Sequence, residues 1–149
     1  MQVRSASPQD FEAIMAIEQS AHFHPWPESV LRRYLEKPDC TFVIEDSRRI
    51  LGYAVITLIA GEAELLMVAV DPACQGKGAG RTLMDYLHSF LTQKGAVQWF
   101  LDVRESNHKA ISLYESMGFC QAGVRSGYYP TANGKEDALL YCLDLSDDS

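Results

Sequence analysis

The stretch Val68-Ala69-Val70-Asp71-Pro72-Ala73-Cys74-Gln75-Gly76-Lys77-Gly78-Ala79-Gly80-Arg81 decides the fold. It passes from an apolar run, through a loop too rich in glycine to be a strand, into a segment with Leu83, Leu87 and Leu91 on one helical face. A helix start leaves about four N–H groups unpaired and carries roughly half a positive charge. Glycines let such a backbone approach an anion closely, and Lys77 and Arg81 add fixed charge. A diphosphate suits that arrangement. The glycines fall at 76, 78 and 80, which matches neither G-x-G-x-x-G nor a P-loop, since no Lys-Ser or Lys-Thr follows the last glycine.

Upstream, Ser7-Pro8-Gln9-Asp10 reads as a helix start, with Ser7 as N-cap. Phe11, Ile14, Ile17 and Ala21 then recur at helical spacing. Pro25 and Pro27 end that helix, and a second begins near Pro27, with Leu31, Tyr34 and Leu35 on one face, stopping before Pro38. Residues 40–45 and 50–59 are β-rich runs joined by the polar Asp46-Ser47-Arg48-Arg49, a hairpin signature. Gly61-Glu62 turns the chain into a third strand, 63–70, and three sequential antiparallel strands are the simplest inference.

Downstream, the glycine-loop helix closes at Gly95 and residues 97–104 form a strand. A helix over 107–117 ends at Gly118. Strands over 119–124 and 137–144 flank a loop at 128–136, and the tail from Ser146 to Ser149 frays. No repeat or linker interrupts residues 1–149, so a single domain is expected, of a size that buries about two-thirds of its unfolded surface.

No apolar run reaches the roughly 20 residues needed to cross a bilayer, and Met1 to Ser5 have no apolar stretch behind their one positive charge. A cytoplasmic protein without membrane contact is expected. Cys40, Cys74, Cys120 and Cys142 are far apart and form no C-x-x-C pair, so they read as reduced and mostly buried. The net charge of −7 argues against direct binding to nucleic acid. It suits a basic protein or peptide partner, or simply keeps a small protein soluble. His22 and His24, two apart with no ligand cluster nearby, make no metal site, and none is expected.

Val68-Ala69-Val70-Asp71-Pro72 followed by Gln75-x-x-Gly78-x-Gly80 resembles the acetyl-CoA segment of the GCN5-related N-acetyltransferase (GNAT) superfamily. Asn107-x-x-Ala110-x-x-Leu113-Tyr114-x-x-x-Gly118-Phe119 resembles its second cofactor segment, in the right order. Leu101-Asp102-Val103-Arg104-Glu105-Ser106-Asn107, Tyr128-Tyr129-Pro130-Thr131 and His24-Pro25-Trp26-Pro27-Glu28 are similar to the RimI family of bacterial ribosomal-protein-alanine N-acetyltransferases, over essentially the whole chain. The resemblance implies the α/β GNAT fold: a mixed, mostly antiparallel twisted sheet with about four helices. It also implies acetyl-CoA as co-substrate. The acceptor would be the N-terminal alanine of protein eighteen of the small ribosomal subunit.

Residue roles follow from the same resemblance. Val68, Ala69 and Val70 would pair with the pantetheine arm. Gly76, Lys77, Gly78, Ala79, Gly80 and Arg81 would hold the diphosphate. Asn107 would bond the pantetheine while also serving as an N-cap. Tyr114 would be the general acid, unless it is a core aromatic. The family's general base is a glutamate where this chain has Asp102, one carbon shorter, and Glu105 and Glu64 compete for that role. Trp26, Tyr128 and Tyr129 are candidates to contact the peptide, with Glu136 as partner of a basic side chain; Trp26 could equally be a hydrophobic plug. A lysine side chain, a polyamine or another small amine is the alternative acceptor, and a non-catalytic acetyl-CoA sensor is the alternative from another class.

Overall fold

The computed structural model describes residues 1–22 and 24–146. Four α-helices are present among them: α1 (Phe11–Ala21), α2 (Glu28–Glu36), α3 (Ala79–Gln93) and α4 (His108–Ser116). Seven strands accompany them: β1 (Gln2–Ser5), β2 (Thr41–Asp46), β3 (Arg49–Ile59), β4 (Glu62–Val70), β5 (Gln98–Arg104), β6 (Cys120–Thr131) and β7 (Gly134–Asp144). The sheet order is β1-β2-β3-β4-β5-β7-β6, and the pairing is mostly antiparallel, as expected for the GNAT fold. The chain divides into two compact units, residues 1–57 with 66–90 and residues 58–65 with 91–146.

In the first unit the two-residue period of the strands separates two cores. Val43, Tyr53, Val55 and Ala69 face one way and meet Phe11, Ile14 and Ile17 of α1 and Leu31 and Leu35 of α2. Phe42 faces the other way and packs edge-on against Phe90 of α3, with ring centroids 5.0 Å apart. Ser47 and Arg48 form the β2–β3 turn with φ of 51° and 70°. Two left-handed residues in succession are what a two-residue hairpin demands, and neither is the glycine or asparagine that adopts it cheaply. Strand β1 was not expected. Its four residues hold one large apolar side chain, too short a pattern to read, and it exists because β2 offers a ladder from Gln2↔Glu45 to Ser5↔Phe42.

In the second unit β4 pairs in parallel with β5 over Glu62–Leu65, and β5 pairs antiparallel with β7. Gly95 closes α3 at φ 84°, with the Ala96 N–H donating to the Leu91 carbonyl. Gly118 does the same after α4, at φ 103°, where Phe119 N–H reaches the Tyr114 carbonyl. The expected loop over 128–136 is a correction. Strand β6 runs on to Thr131 and β7 starts at Gly134, so that only Ala132 and Asn133 turn. Gly127, Pro130 and the exposed pattern of β6 mask a strand; it lies at the sheet edge, where a proline lacking its N–H breaks no ladder.

The cysteines are free, but only Cys74 is buried; Cys40 and Cys142 are half-buried and Cys120 is exposed, against the expectation of mostly buried thiols. Cys120 opens the edge strand, where side chains face water on the uncovered side. The expected fraying of the tail falls chiefly on residues 147–149, outside the described residues. Among those described, no helix is long and apolar enough to cross a membrane.

Candidate active site

Within the first unit, the glycine loop stands open. Asp71 caps a short turn by accepting the Ala73 N–H at 3.0 Å, and Pro72 sits in its first position. Asp71 also accepts from Arg49 at 3.2 Å, and the Ala73 bond followed by Arg49 holds its carboxyl below the usual range against slight desolvation. Gly76 and Gly78 adopt φ of 83° and 82°, and a Cβ added to either would meet nothing within 4 Å. The loop therefore needs glycine for its backbone shape, and its surroundings leave room for a large group. Ala79 opens α3 directly behind it, and Lys77 and Arg81 are exposed, with Arg81 reaching Asp85 at 3.1 Å. An open, left-handed glycine turn at a 15-residue helix's N-terminus fits a diphosphate. Val68, Ala69 and Val70 end β4, with Ala69 buried and both valines half-buried.

Trp26, in the same unit, is half-buried beside the α1–α2 core and tilted against Tyr34 at 5.7 Å. Its main-chain N–H donates to Glu18 at 2.9 Å.

Within the second unit, one face of β5 carries Asp102 and Arg104 two residues apart. Ala138 pairs with Arg104 on one side and Arg125 on the other, so the two arginines flank a methyl group. Arg125 approaches Asp102 Oδ1 at 3.3 Å. That contact is ionic rather than a formed hydrogen bond, since Asp102 Oδ1 is buried and has no hydrogen-bond partner. A buried carboxylate oxygen without a hydrogen bond keeps its accepting capacity open to a donor.

Tyr129 stands among these groups. Arg104 lies 4.5 Å over its ring, and Tyr128 meets it edge-on at 5.0 Å. The two tyrosines come together because β6 bulges between Arg125 and Tyr129, where Gly127 at φ 59° donates its N–H to Asp137 at 2.9 Å. Burial, then the Asp102 charge, pushes the Tyr129 hydroxyl up to about 12. Tyr114 is 5% exposed on α4, and burial followed by Tyr129 raises its hydroxyl far above the ordinary value. Tyr129 thus lies within electrostatic reach of both Asp102 and Tyr114. Asn107 caps α4, its side chain accepting the Ala110 N–H at 3.2 Å.

Glu136 is already engaged. It accepts from Arg104 at 2.9 Å and from the Ser106 N–H at 3.2 Å, and hydrogen bonding first to Ser106 and then to Arg104 holds its carboxyl below the usual range. Glu105 and Glu64, the competitors of Asp102, are both exposed. Sequence reading missed Arg104 and Arg125, whose spacing carried no signal until β5, β7 and β6 aligned them. It also missed Glu18, although a carboxylate on the Ile14-Ile17-Ala21 face of α1 was visible as an anomaly. Among the described residues, no cluster of three or more His, Cys, Asp or Glu could hold a metal ion.

The family model for the acetyltransferase (GNAT) family matches residues 11–119. The chain belongs to this family. It is similar to the [ribosomal protein bS18]-alanine N-acetyltransferase of Salmonella typhimurium, 41% identical over 142 residues that cover 92% of this chain and 93% of that one. The crystal structure of the ribosomal-protein-S18-alanine N-acetyltransferase from Escherichia coli superposes with a TM-score of 0.94, at 36% identity, covering 99% of this chain and 96% of that one. A Salmonella typhimurium protein solved with its cofactor acetyl-CoA shares the fold, with a TM-score of 0.85 at 23% identity, covering 100% of this chain and 96% of that one. The enzyme is therefore an N-acetyltransferase of the GNAT and RimI type.

Proposed function

We propose that this acetyltransferase, acting as one catalytic domain in the cytoplasm, moves the acetyl group of acetyl-CoA to the N-terminal alanine of small-subunit ribosomal protein bS18. The whole-length likeness to enzymes named for that reaction is the observation that carries the reading. The net charge of −7 supports it, because a ribosomal protein is a basic partner. Acceptance is of a protein N-terminus, without direct contact to nucleic acid or membrane.

In the proposed chemistry the neutral α-amine attacks the thioester carbonyl carbon, the C–S bond breaks, and the sulfur leaves as a thiolate. Asp102 takes the proton the amine loses, through one water. An α-amino group with a pKa near 7.7–8.0 is already partly neutral around pH 7.5, so a carboxylate of modest reach suffices. Tyr114 gives its proton to the departing sulfur. Burial holds that hydroxyl protonated at neutral pH, the state a proton donor starts from. Gly76 through Arg81 bind the diphosphate, Val68 to Val70 pair with the pantetheine arm, and Asn107 bonds it. Trp26, Tyr128 and Tyr129 contact the acceptor. Glu136, already paired to Arg104, offers its remaining lone pairs to a basic side chain.

The test is release of free thiol from acetyl-CoA with short peptides beginning Ala-Arg, beside the same peptides blocked at the N-terminus. Turnover only with the free α-amine is expected. Equal turnover on blocked, lysine-containing peptides would make the enzyme a side-chain acetyltransferase, and silence on both would point to a small amine or to a sensor.

A further inference from the structure

Glu18 is a fully buried carboxylate with no part in the chemistry above. It sits on the apolar face of α1, where an unpaired charge would cost several kcal/mol. Three donors offset that cost. The Tyr53 hydroxyl donates to Oε1 at 2.5 Å, His22 Nδ1 lies 2.7 Å from Oε1, and the Trp26 main-chain N–H donates to Oε2 at 2.9 Å. Burial pushes the carboxyl up, but His22, Tyr53 and Trp26 together hold it below the usual range, so it is ionised at neutral pH.

The placement of these donors is informative. Tyr53, itself fully buried, fixes the carboxylate to the sheet. His22 ends α1, and Trp26 lies just before α2. One carboxylate therefore ties both ends of the α1–α2 connection to the core, and one tie goes to the main chain of the residue read as an acceptor contact. A turn at this point needs no buried charge; Pro25 and Pro27 suffice to break the helix. We propose that Glu18 is a positioning residue for acceptor binding: it sets Trp26 at the place where the peptide's first residues dock. The inference rests on the reading of Trp26 as a peptide contact and deepens it.

The test compares Glu18→Gln, His22→Ala and Trp26→Phe with the wild-type enzyme in the thiol-release assay. Apparent constants are measured separately for an Ala-Arg peptide and for acetyl-CoA. The amide in Glu18→Gln turns one acceptor oxygen into a donor, which then faces either the Trp26 N–H or the pair Tyr53 and His22. The expected result is an acceptor KM raised about tenfold, or 1.4 kcal/mol, with kcat and the acetyl-CoA KM within twofold. His22→Ala, at a half-exposed position, is expected to raise the acceptor KM about threefold, and it keeps the test decisive should Glu18→Gln not fold. In protein labelled with 5-fluorotryptophan, the Trp26 resonance, assigned by Trp26→Phe, is expected to shift or broaden in both variants while that of Trp99 stays. A lower melting temperature and kcat with acceptor KM and Trp26 resonance unchanged would overturn the proposal and leave Glu18 a stability residue. If Trp26→Phe leaves the acceptor KM unchanged, the peptide-contact reading itself fails. Wild-type enzyme without turnover on Ala-Arg peptides would instead sink the proposed function.

Discussion

Tyr114→Phe isolates the proposed general acid, because the structure separates the hydroxyl from the ring. The ring packs at 5.7 Å from Phe119, which in turn meets Trp99 at 5.2 Å, and phenylalanine preserves both contacts. The ring volume is kept, so stability is expected to change by less than about 1.5 kcal/mol, as for volume-conserving swaps. What is lost is one buried proton donor. General acid catalysis contributes about 10²–10⁴-fold, so kcat is expected to fall at least a hundredfold, about 2.7 kcal/mol in barrier. The assay is thiol release at saturating acetyl-CoA and Ala-Arg peptide, with thermal melts of both proteins. The acetyl-CoA KM is expected to stay within threefold, since the hydroxyl acts on the departing sulfur rather than on the bound ground state. A kcat within threefold of wild type would refute the assignment and leave Tyr114 a core aromatic.

Asp102→Asn is expected to lower kcat by about 10²-fold with little change in acetyl-CoA affinity, while Asp102→Glu, which restores the family's longer carboxylate, retains or raises turnover; steady-state kinetics of both decide it. Thermal melts from pH 7 to pH 3 should show stability falling in acid. Asp10, Glu18, Asp71 and Glu136 have depressed carboxyls, so their contribution is present above the unfolded values near 4 and is lost as pH falls through the lower folded ones. The raised Tyr53, Tyr114 and Tyr129 act oppositely: their contribution is present below about pH 10 and is lost as pH rises toward the folded values, which alkaline melts would reveal. Ser47→Asn with Arg48→Gly is expected to stabilise the β2–β3 hairpin by about 1–2 kcal/mol in urea unfolding, because both positions hold φ above zero. An unchanged midpoint would mean the turn strain is relieved elsewhere.

Much of this molecule was legible in its sequence because local physics writes it there. The glycine loop, the Asn107 cap and the Gly95 and Gly118 stops are backbone requirements, and only particular residues meet them. The helical period of α1 and the continuous apolar runs of β2 and β3, buried on both faces, are burial written along the chain. Tertiary structure decided what depends on neighbours distant in sequence. Strand β1 exists only because β2 offers its edge, and β6 runs through Pro130 only because it lies at the rim of the sheet. The meeting of Asp102 with Arg125, and of Arg104 with Tyr129 and Glu136, needed the β5-β7-β6 register, which no spacing encodes. Glu18 is the clearest case. Its charge on an apolar face was visible in the sequence as an anomaly, yet only the fold brings Tyr53, 35 residues away, and Trp26, eight away, to its two oxygens. A hydrogen bond requires its partners within about 3 Å, and proximity across such separations is set by packing.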